Sequence, residues 1–354
     1  MKNDLIFHDN EWEYICTLLP EDIEETARIQ GALVRRRNIQ SASVLIRIIL
    51  AYAVSNLSFK DVAAWASASN LATLRAPSLH HRLKESTSWL ECLLGDILKS
   101  SSPCAPAGFR FKAVDATVVC GPAAKGSDWR LHVISDPDQG DLLSFELTDR
   151  FVGESLCLHD FSKGDVILGD RAYATAKGIF AVRKAEAHVV VRCNPHAIRL
   201  CDLNRQVIDL KKRNDDVPKT GALVVDVIIP VPPEKRTKSR KIWSLDKAQA
   251  WVPAKVIGGR TAKGDIIWVL STLNEEVLPP MDVLRAYRFR WQIELLFKRL
   301  KSLLNLDELP SKADGPTAKA WILARLLAAS LIHKFYDQKV AFSPWGYELR
   351  QARL

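Results

Sequence analysis

The sequence contains no Cys-x-x-Cys pair, and its seven cysteines are an odd number spread between Cys16 and Cys201. Neither a zinc site of paired cysteines nor a disulfide framework is therefore expected. The first residues do not form a signal-peptide pattern, and charged residues interrupt every apolar run before it reaches the about 18 residues of a membrane span. These absences predict a cytoplasmic protein with no membrane segment.

Two common catalytic motifs are also missing. The glycine-containing segment 121–126 lacks the Lys-Ser or Lys-Thr ending of a phosphate-binding loop, so nucleotide binding of that kind is not expected. There is no Gly-x-Ser-x-Gly sequence, although counting residues does not exclude a Ser-His-Asp triad. His132 and His159 are interpreted as structural or supporting residues rather than as catalytic bases. No internal repeat or low-complexity tract is present.

Positive charge is abundant, with 50 Lys and Arg against 41 Asp and Glu among 354 residues, a formal net charge of +9. The basic residues are concentrated at 35–37, 211–213, 235–241 and 287–301. This distribution favours a polyanionic partner such as DNA. Each run taken alone is better explained as a solvated surface or a loop.

The length predicts two or three domains. Residues 1–104 are expected to be helical, with a capping serine at Ser58 and two short helices around Asn70 that resemble a helix-turn-helix arrangement. A linker rich in proline and serine follows at 101–108. Many helical bundles share this pattern, so DNA recognition by these helices remains one of two alternatives.

After the linker the pattern changes to strands, and we predict an α/β fold. A meander is expected first, and the strand-helix-strand unit after it implies parallel pairing. Residues 201–262 are expected to form a β-rich insertion. The predicted strands are 109–119, 131–135, 142–147, 166–170, 188–193, 223–231, 241–244, 250–257 and 266–270, and the predicted helices are 175–187, 287–301 and 318–335.

A single helix over 287–301 is predicted to carry a carboxylate among cations. At about 100° per residue, Tyr287, Arg290, Glu294 and Lys301 fall within an arc of about 60°. The apolar face of this helix should consist of Phe289, Ile293, Leu296, Leu300 and Leu303. An ion pair between Glu294 and Lys298 would be the ordinary alternative, but it would leave the other residues of the stripe unexplained.

Two aspartates lie in apolar strands, where an unpaired charge is costly. Asp115 falls inside the first strand and Asp170 ends the fourth. Asp170 alone would be explained as a helix cap and Asp115 as the partner of a buried arginine. Together with Glu294 they form an all-oxygen set suited to Mg²⁺ or Mn²⁺, and two such ions support in-line displacement at phosphorus. Arg290, Lys298 and Lys301 would then bind phosphate.

The spacing of Tyr287, Arg290, Glu294 and Lys301 resembles the Tyr-Arg-Glu-Lys signature of the insertion sequence four family of DDE transposases. Further segments that match motifs of this family extend over nearly the whole chain. The matching segments are Val-Asp-Ala-Thr at 114–117, Gly-Glu-Ser at 153–155, Gly-Asp-Arg-Ala-Tyr at 169–173 and Leu-Ser-Thr-Leu-Asn at 270–274. These motifs are specific in combination.

The resemblance implies a ribonuclease-H-like mixed sheet core in two parts, at 105–200 and 263–354, with the β-rich insertion at 201–262 between them. Residues 1–104 would bind the ends of the element. The implied enzyme is a Mg²⁺-dependent transposase, with Mn²⁺ able to substitute, that acts on double-stranded DNA at terminal inverted repeats and target sites. Family members commonly cut through a hairpin intermediate and work as homodimers.

The resemblance also implies roles for individual residues. Asp115, Asp170 and Glu294 would be the catalytic metal ligands. The residues implied to contact DNA are Tyr287, Arg290, Lys298, Lys301, Arg171 and Tyr173. A tryptophan, one of Trp243, Trp251 and Trp268, would stack on a flipped base.

Three functions remain open from the sequence. An active transposase is favoured by the three acids, while the abrupt end of the sequence at Leu354 favours a truncated, non-catalytic relative that occupies element ends. A general nuclease of the same fold is less well supported, because it would not need the insertion or the helical N-terminal region.

Overall fold

The N-terminal part of the chain is helical, as predicted. The computed structural model describes residues 9–55, 57–99, 108–122, 126, 128–193, 198–233, 243–261, 263–306, 309–310 and 315–339. Its first helices are α1 (Asp9–Leu18), α2 (Ile23–Ile29), α3 (Ala42–Val54), α4 (Phe59–Ala68), α5 (Ala76–Glu85) and α6 (Thr87–Lys99). The linker predicted at 101–108 lies almost entirely outside the described residues.

Local capping and a left-handed turn residue explain where helix α4 begins and ends. Ser58 accepts a hydrogen bond from the backbone N–H of Asp61 and forms a capping box with it, so α4 begins as predicted. The turn after α4 passes through Asn70, whose φ of 55° lies in the left-handed region that asparagine tolerates. His80 on α5 is within 3.1 Å of the Thr317 hydroxyl, which ties this helix to the C-terminal helix.

The strands form one mixed eight-stranded sheet in the order β3-β2-β1-β4-β5-β8-β7-β6, which confirms the mixed α/β class. The strands are β1 (Arg110–Val119), β2 (Trp129–Ser135), β3 (Leu142–Asp149), β4 (Asp165–Gly169), β5 (His188–Arg192), β6 (Leu223–Val231), β7 (Ala250–Arg260) and β8 (Ile266–Ser271). Strands β1 to β3 form the predicted antiparallel meander, and β1, β4 and β5 are parallel.

The strands between 201 and 262 continue this sheet, because β8 pairs antiparallel with both β5 and β7, and β6 pairs with β7. Of the strand predicted at 241–244, residues 241 and 242 lie outside the described part of the chain. Trp243 and Ser244 are not in a strand, so the prediction was wrong there; a short 3₁₀ turn follows at Leu245–Lys247.

The prediction of a single helix over 287–301 was wrong. The chain forms α8 (Pro280–Phe289) and α9 (Trp291–Leu304), which meet at Arg290. There the backbone N–H of Arg290 bonds to the carbonyl of Tyr287 and that of Ile293 to the carbonyl of Arg290, each at 3.2 Å, the tighter 3₁₀ spacing. Helix α8 packs on β4, β5, β7 and β8, whereas α9 packs on β1.

The break changes which side chains are buried. Ile293 and Leu300 lie in the core as predicted, and Phe297 joins them. Phe289 was expected on the same apolar face, but as the last residue of α8 it is 39% exposed. The side chain of Leu303 is outside the described residues.

Helices cover both faces of the sheet. Helix α7 (Ala176–Lys184) packs on one face, while α8 and α9 cover the other. The last helix, α10 (Gly315–Lys339), packs against α3, α5 and α6 as well as α9, and its buried residues belong to the same hydrophobic cluster. None of the helices in the described part of the chain is long and apolar enough to cross a bilayer.

Candidate active site

The register between β1 and β4 brings the two predicted aspartates together. These parallel strands pair from Arg110 with Asp165 to Val114 with Gly169, so Asp115 and Asp170 come next in the same register. Asp170 then begins a 3₁₀ turn, where its carboxylate accepts a hydrogen bond of 3.2 Å from the backbone N–H of Ala172. The capping alternative therefore holds for Asp170, alongside its position beside Asp115.

Asp115 is the most perturbed of these acids. Burial raises its pKa to about 6, and the charges of Glu154 and Asp170 add to the rise. The backbone N–H of Ala116, which donates to Asp115 Oδ1 at 2.8 Å, and the Arg290 guanidinium lower it in part. The charges of three carboxylates therefore interact at this end of the sheet, and such perturbed acids are typical of functional sites.

Glu294 is connected to Asp115 by the Arg290 guanidinium, which contacts both carboxylates. Arg290 Nη2 lies 2.5 Å from Glu294 Oε1, and its Nη1 lies 3.9 Å from Asp115 Oδ2. The Glu294 side chain is 46% exposed, while that of Arg290 is only 15% exposed. Among the residues that the structure describes, no three His, Cys, Asp or Glu side chains are close enough together to hold a metal ion.

Tyr287 lies beside the same arginine. Its ring centroid is 5.9 Å from the guanidinium carbon of Arg290. Burial raises the pKa of its hydroxyl, with Asp170 adding to the rise and Arg290 and Arg192 opposing it. The phenol is thus close to Asp170, and the α8–α9 junction supplies two of the side chains around the acids.

Tyr173 occupies a different position from the one expected of a DNA contact. It is fully buried, and its hydroxyl has no hydrogen-bond partner among the described residues. Burial raises the pKa of this hydroxyl, and the charges of Asp115, Glu154 and Asp170 raise it further. Because the ring is inaccessible, we reassign Tyr173 to the interior side of the acid site.

The remaining predicted contacts lie farther out. Arg171, in the turn after Asp170, is exposed, as is Lys298 on α9. Lys301 is half-buried in the last turn of the same helix. The structure thus gathers Asp115, Asp170, Tyr287 and Arg290.

Glu154 is a fourth acid at this site, and no role was predicted for it. It lies in the loop between β3 and β4, and burial and the charge of Asp170 raise its pKa, while Arg130 lowers it. The only sequence signal was the Gly-Glu-Ser match at 153–155, which carries no information about where the loop runs. Glu154 adds a carboxylate oxygen donor close to Asp170.

A groove of about 480 Å³ runs beside the α8–α9 junction. Arg260 on β7, Arg288 on α8 and Trp291 on α9 line it together with Tyr287 and Arg290. Trp291 is 54% exposed and was not among the tryptophans singled out from the sequence. Aromatic rings beside arginines are the combination that binds single-stranded nucleic acid.

The three tryptophans considered from the sequence have other contacts. Trp268 is buried in β8 and donates to the Asn214 side chain at 3.0 Å. Trp243 and Trp251 lie beneath the guanidinium groups of Arg199 and Arg205, at 5.0 and 4.8 Å from the ring centroids. Trp291, by contrast, is exposed and lines the same groove as Arg290.

His132 and His159 are both held in the uncharged form, because burial lowers the pKa of each to about 4. His132 Nε2 is 3.0 Å from the Thr148 hydroxyl, and the two imidazole rings meet edge to face. These contacts place both histidines within the packing between β2 and the loop before β4.

Comparison with known proteins assigns the class. A family model described as a transposase DDE domain matches residues 106–331, a segment that contains Asp115, Asp170 and Glu294. The chain therefore belongs to the DDE transposase family.

Its relatives are transposases of insertion sequences. The chain is 32% identical to the putative transposase InsL for insertion sequence element IS186A of Escherichia coli, over 95% of this chain and 96% of that protein. The transposase for insertion sequence element IS421 of Escherichia coli has the same identity and coverage. The putative transposase y4zB of Sinorhizobium fredii is 23% identical over 57% of this chain and 52% of its own.

A solved structure shares the fold. The piggyBac transposase, in a synaptic complex with hairpin DNA, superposes with a TM-score of 0.50 and covers 93% of this chain and 75% of its own. The sequences are 10% identical, so the likeness concerns the arrangement of helices and strands.

Proposed function

We propose that this transposase belongs to the insertion sequence four family and has a ribonuclease-H-like core. It cuts DNA at the ends of its element and joins them to target DNA by two-metal-ion phosphoryl transfer, with a hairpin intermediate. The observation that carries the proposal is the β1–β4 register, which sets Asp115 beside Asp170 while Arg290 links Asp115 to Glu294.

The chemistry of the donor set fits Mg²⁺ or Mn²⁺. Asp115, Asp170 and Glu294 offer only oxygen atoms, the ligands that these hard ions prefer, and Glu154 adds another carboxylate nearby. When bound, the ions would polarise the phosphodiester and favour ionisation of the attacking hydroxyl or water. The raised pKa of Asp115 reflects its burial first and the charges of Glu154 and Asp170 second, and bound cations would offset those charges.

The side chains around the acids would position the DNA strand. Arg290 presents a planar guanidinium suited to two phosphate oxygens, and Lys298 and Lys301 follow it along α9. The exposed ring of Trp291 would stack on a base displaced during hairpin formation, in place of the tryptophans considered from the sequence. Arg171 would contact the strand from the far side of Asp170.

The wider assembly is also part of the proposal. The helices within residues 1–104 would bind terminal inverted repeats, and residues 201–262 would contribute the strands beside the groove. Two copies of the chain would act together on the paired ends. In this assembly the positive charge of the chain would be neutralised by the phosphates of double-stranded DNA.

The test is a cleavage assay with DNA that carries the inverted repeats flanking this gene. With Mg²⁺, the protein should release the element and give end fragments that migrate as hairpins under denaturing conditions. Specific binding without cleavage in Mg²⁺ or Mn²⁺ would instead support a non-catalytic protein that occupies element ends. Cleavage at positions unrelated to the inverted repeats would support a general nuclease.

Lys301→Ala should reduce the salt dependence of binding to the element end. A lysine that neutralises one phosphate contributes about 0.9 to the slope of log affinity against log salt concentration. Fluorescence anisotropy across a salt series measures that slope. Lys263→Ala, an exposed lysine in the turn between β7 and β8, is the matched control. An unchanged slope in Lys301→Ala would remove Lys301 from the phosphate contacts.

A further inference from the structure

The Arg290 guanidinium sits between two of the acids proposed to hold metal. It lies 2.5 Å from Glu294 Oε1 on one side and 3.9 Å from Asp115 Oδ2 on the other. Only 15% of the Arg290 side chain is exposed to solvent. An ordinary ion pair between residues four apart on a helix would explain the contact with Glu294 alone. It would not explain why the same group also approaches a strand aspartate.

The position of this group has a consequence for metal binding. The Glu294 oxygen that contacts Arg290 is an oxygen that a cation would need, and a guanidinium and a divalent ion repel each other at such distances. With Arg290 in place, the acids are not gathered into a group that could hold a metal ion among the described residues. Asp115 and Asp170 are together, while Glu294 is held by the arginine.

We propose that Arg290 is an internal counterion of the acid site, and that it must leave Asp115 and Glu294 before a divalent cation can bind there. A DNA phosphate draws it away, because the guanidinium fork matches two phosphate oxygens as well as it matches a carboxylate. This inference rests on the proposed function and adds its regulation: the site takes metal only when DNA is present.

The surroundings of Arg290 suit such a movement. It lies where α8 ends and α9 begins, and its side chain also lines the groove that holds Arg260 and Arg288. A DNA strand attracted by those two arginines would bring its phosphates to the groove side of Arg290. The guanidinium would then turn from the acids to the phosphate without unfolding either helix.

The consequence is positive coupling between DNA and metal. A DNA end should raise the affinity for Mn²⁺, and Mn²⁺ should raise the affinity for the end by the same factor, because coupling between two binding equilibria is reciprocal. Part of this coupling comes from the charge of DNA itself. The part due to Arg290 is the part that disappears when its guanidinium is removed.

The experiment measures Mn²⁺ binding to the full chain by electron paramagnetic resonance, with and without a DNA end, for the wild type and Arg290→Gln. Without DNA, Arg290→Gln should bind Mn²⁺ about tenfold more tightly, within the range of about 5–150-fold typical of such coupling. The factor by which DNA increases Mn²⁺ affinity should fall correspondingly. Circular dichroism checks that the variant is folded.

Arg285→Gln is the matched control, because it removes the same charge from α8, the helix that ends beside Arg290, at a side chain that is 70% exposed and pairs with Asp282 rather than with the acids of the site. It should change Mn²⁺ affinity without DNA by less than about threefold and leave the coupling factor as in the wild type. Equal effects of the two variants would overturn the inference, since they would show a general charge effect.

Arg290→Lys provides a second variant that keeps the charge but loses the planar fork. It should bind Mn²⁺ with an affinity between those of the wild type and Arg290→Gln. Unchanged affinity in both Arg290 variants would overturn the counterion role while leaving the metal site intact. No Mn²⁺ binding by any of these proteins, even with DNA, would instead refute the proposed function.

Discussion

Glu294→Ala should abolish strand cleavage while leaving binding to the element end nearly intact. The loss should be at least about 10³-fold in rate, equivalent to about 4 kcal/mol of transition-state stabilisation. The substitution removes an acid that the two-metal mechanism requires but no side chain proposed to hold phosphate. It also frees Arg290, which contacts Glu294 at 2.5 Å, so end binding should not weaken.

Single-turnover cleavage in Mg²⁺ and anisotropy with the same DNA would measure the two effects separately. Glu275→Ala is a suitable control, because Glu275 is also a partly exposed acid in an ion pair, 2.8 Å from Lys255. It should cleave at the wild-type rate. If Glu294→Ala still cut the DNA in Mg²⁺, Glu294 would not belong to the active site, whatever its position beside Arg290.

Asp165→Ala should lower the free energy of unfolding by about 3–5 kcal/mol, the usual cost of breaking a buried ion pair. The Asp165 carboxylate is fully buried at the start of β4, where it lies 2.7 Å from Lys112 Nζ and 2.9 Å from Arg110 Nη2. It also accepts a hydrogen bond of 2.8 Å from the backbone N–H of Ser162. Removing it takes this acceptor from Lys112 and from the backbone N–H of Ser162, while Arg110 keeps its hydrogen bond of 3.2 Å to the carbonyl of Lys163.

Urea unfolding would measure this effect, and Asp226→Ala provides the comparison. Asp226 contacts Lys255 at the same distance of 2.7 Å, but its side chain is 62% exposed, so its loss should cost no more than about 1 kcal/mol. Similar costs for the two variants would show that burial does not set the importance of Asp165. Because Asp165 pairs in register with Arg110, its loss should also disturb the alignment of Asp115 with Asp170.

The strands were predictable because apolar side chains follow one another in short runs between turns. The strand predicted at 223–231 has the bounds of β6, and the apolar segment before Asp170 became β4. The parallel pairing of β4 with β5 also follows from the sequence, since the two strands flank α7 in a strand-helix-strand unit. The pairing of β1 with β4, which aligns Asp115 with Asp170, does not follow from that rule, because two antiparallel strands lie between them in the chain.

The break at Arg290 could not be predicted in the same way. No proline or glycine lies between Met281 and Leu304, and the apolar spacing runs on without interruption. The break arises from tertiary packing, because α8 follows the sheet across β8 and β5 while α9 turns toward β1. Glu154 was missed for a related reason: a loop residue has no periodicity to show which part of the fold it approaches.

The packing of α10 has a consequence for how the protein is made. This helix covers apolar surfaces of α3, α5 and α6, yet it comes from residues 315–339, more than two hundred positions after Lys99, which ends α6. At ribosomal speeds of about 5–20 residues per second, those N-terminal helices emerge at least about ten seconds before their partner. Their apolar faces stay exposed during that time. We therefore expect the nascent chain to depend on chaperones until α10 has been synthesised.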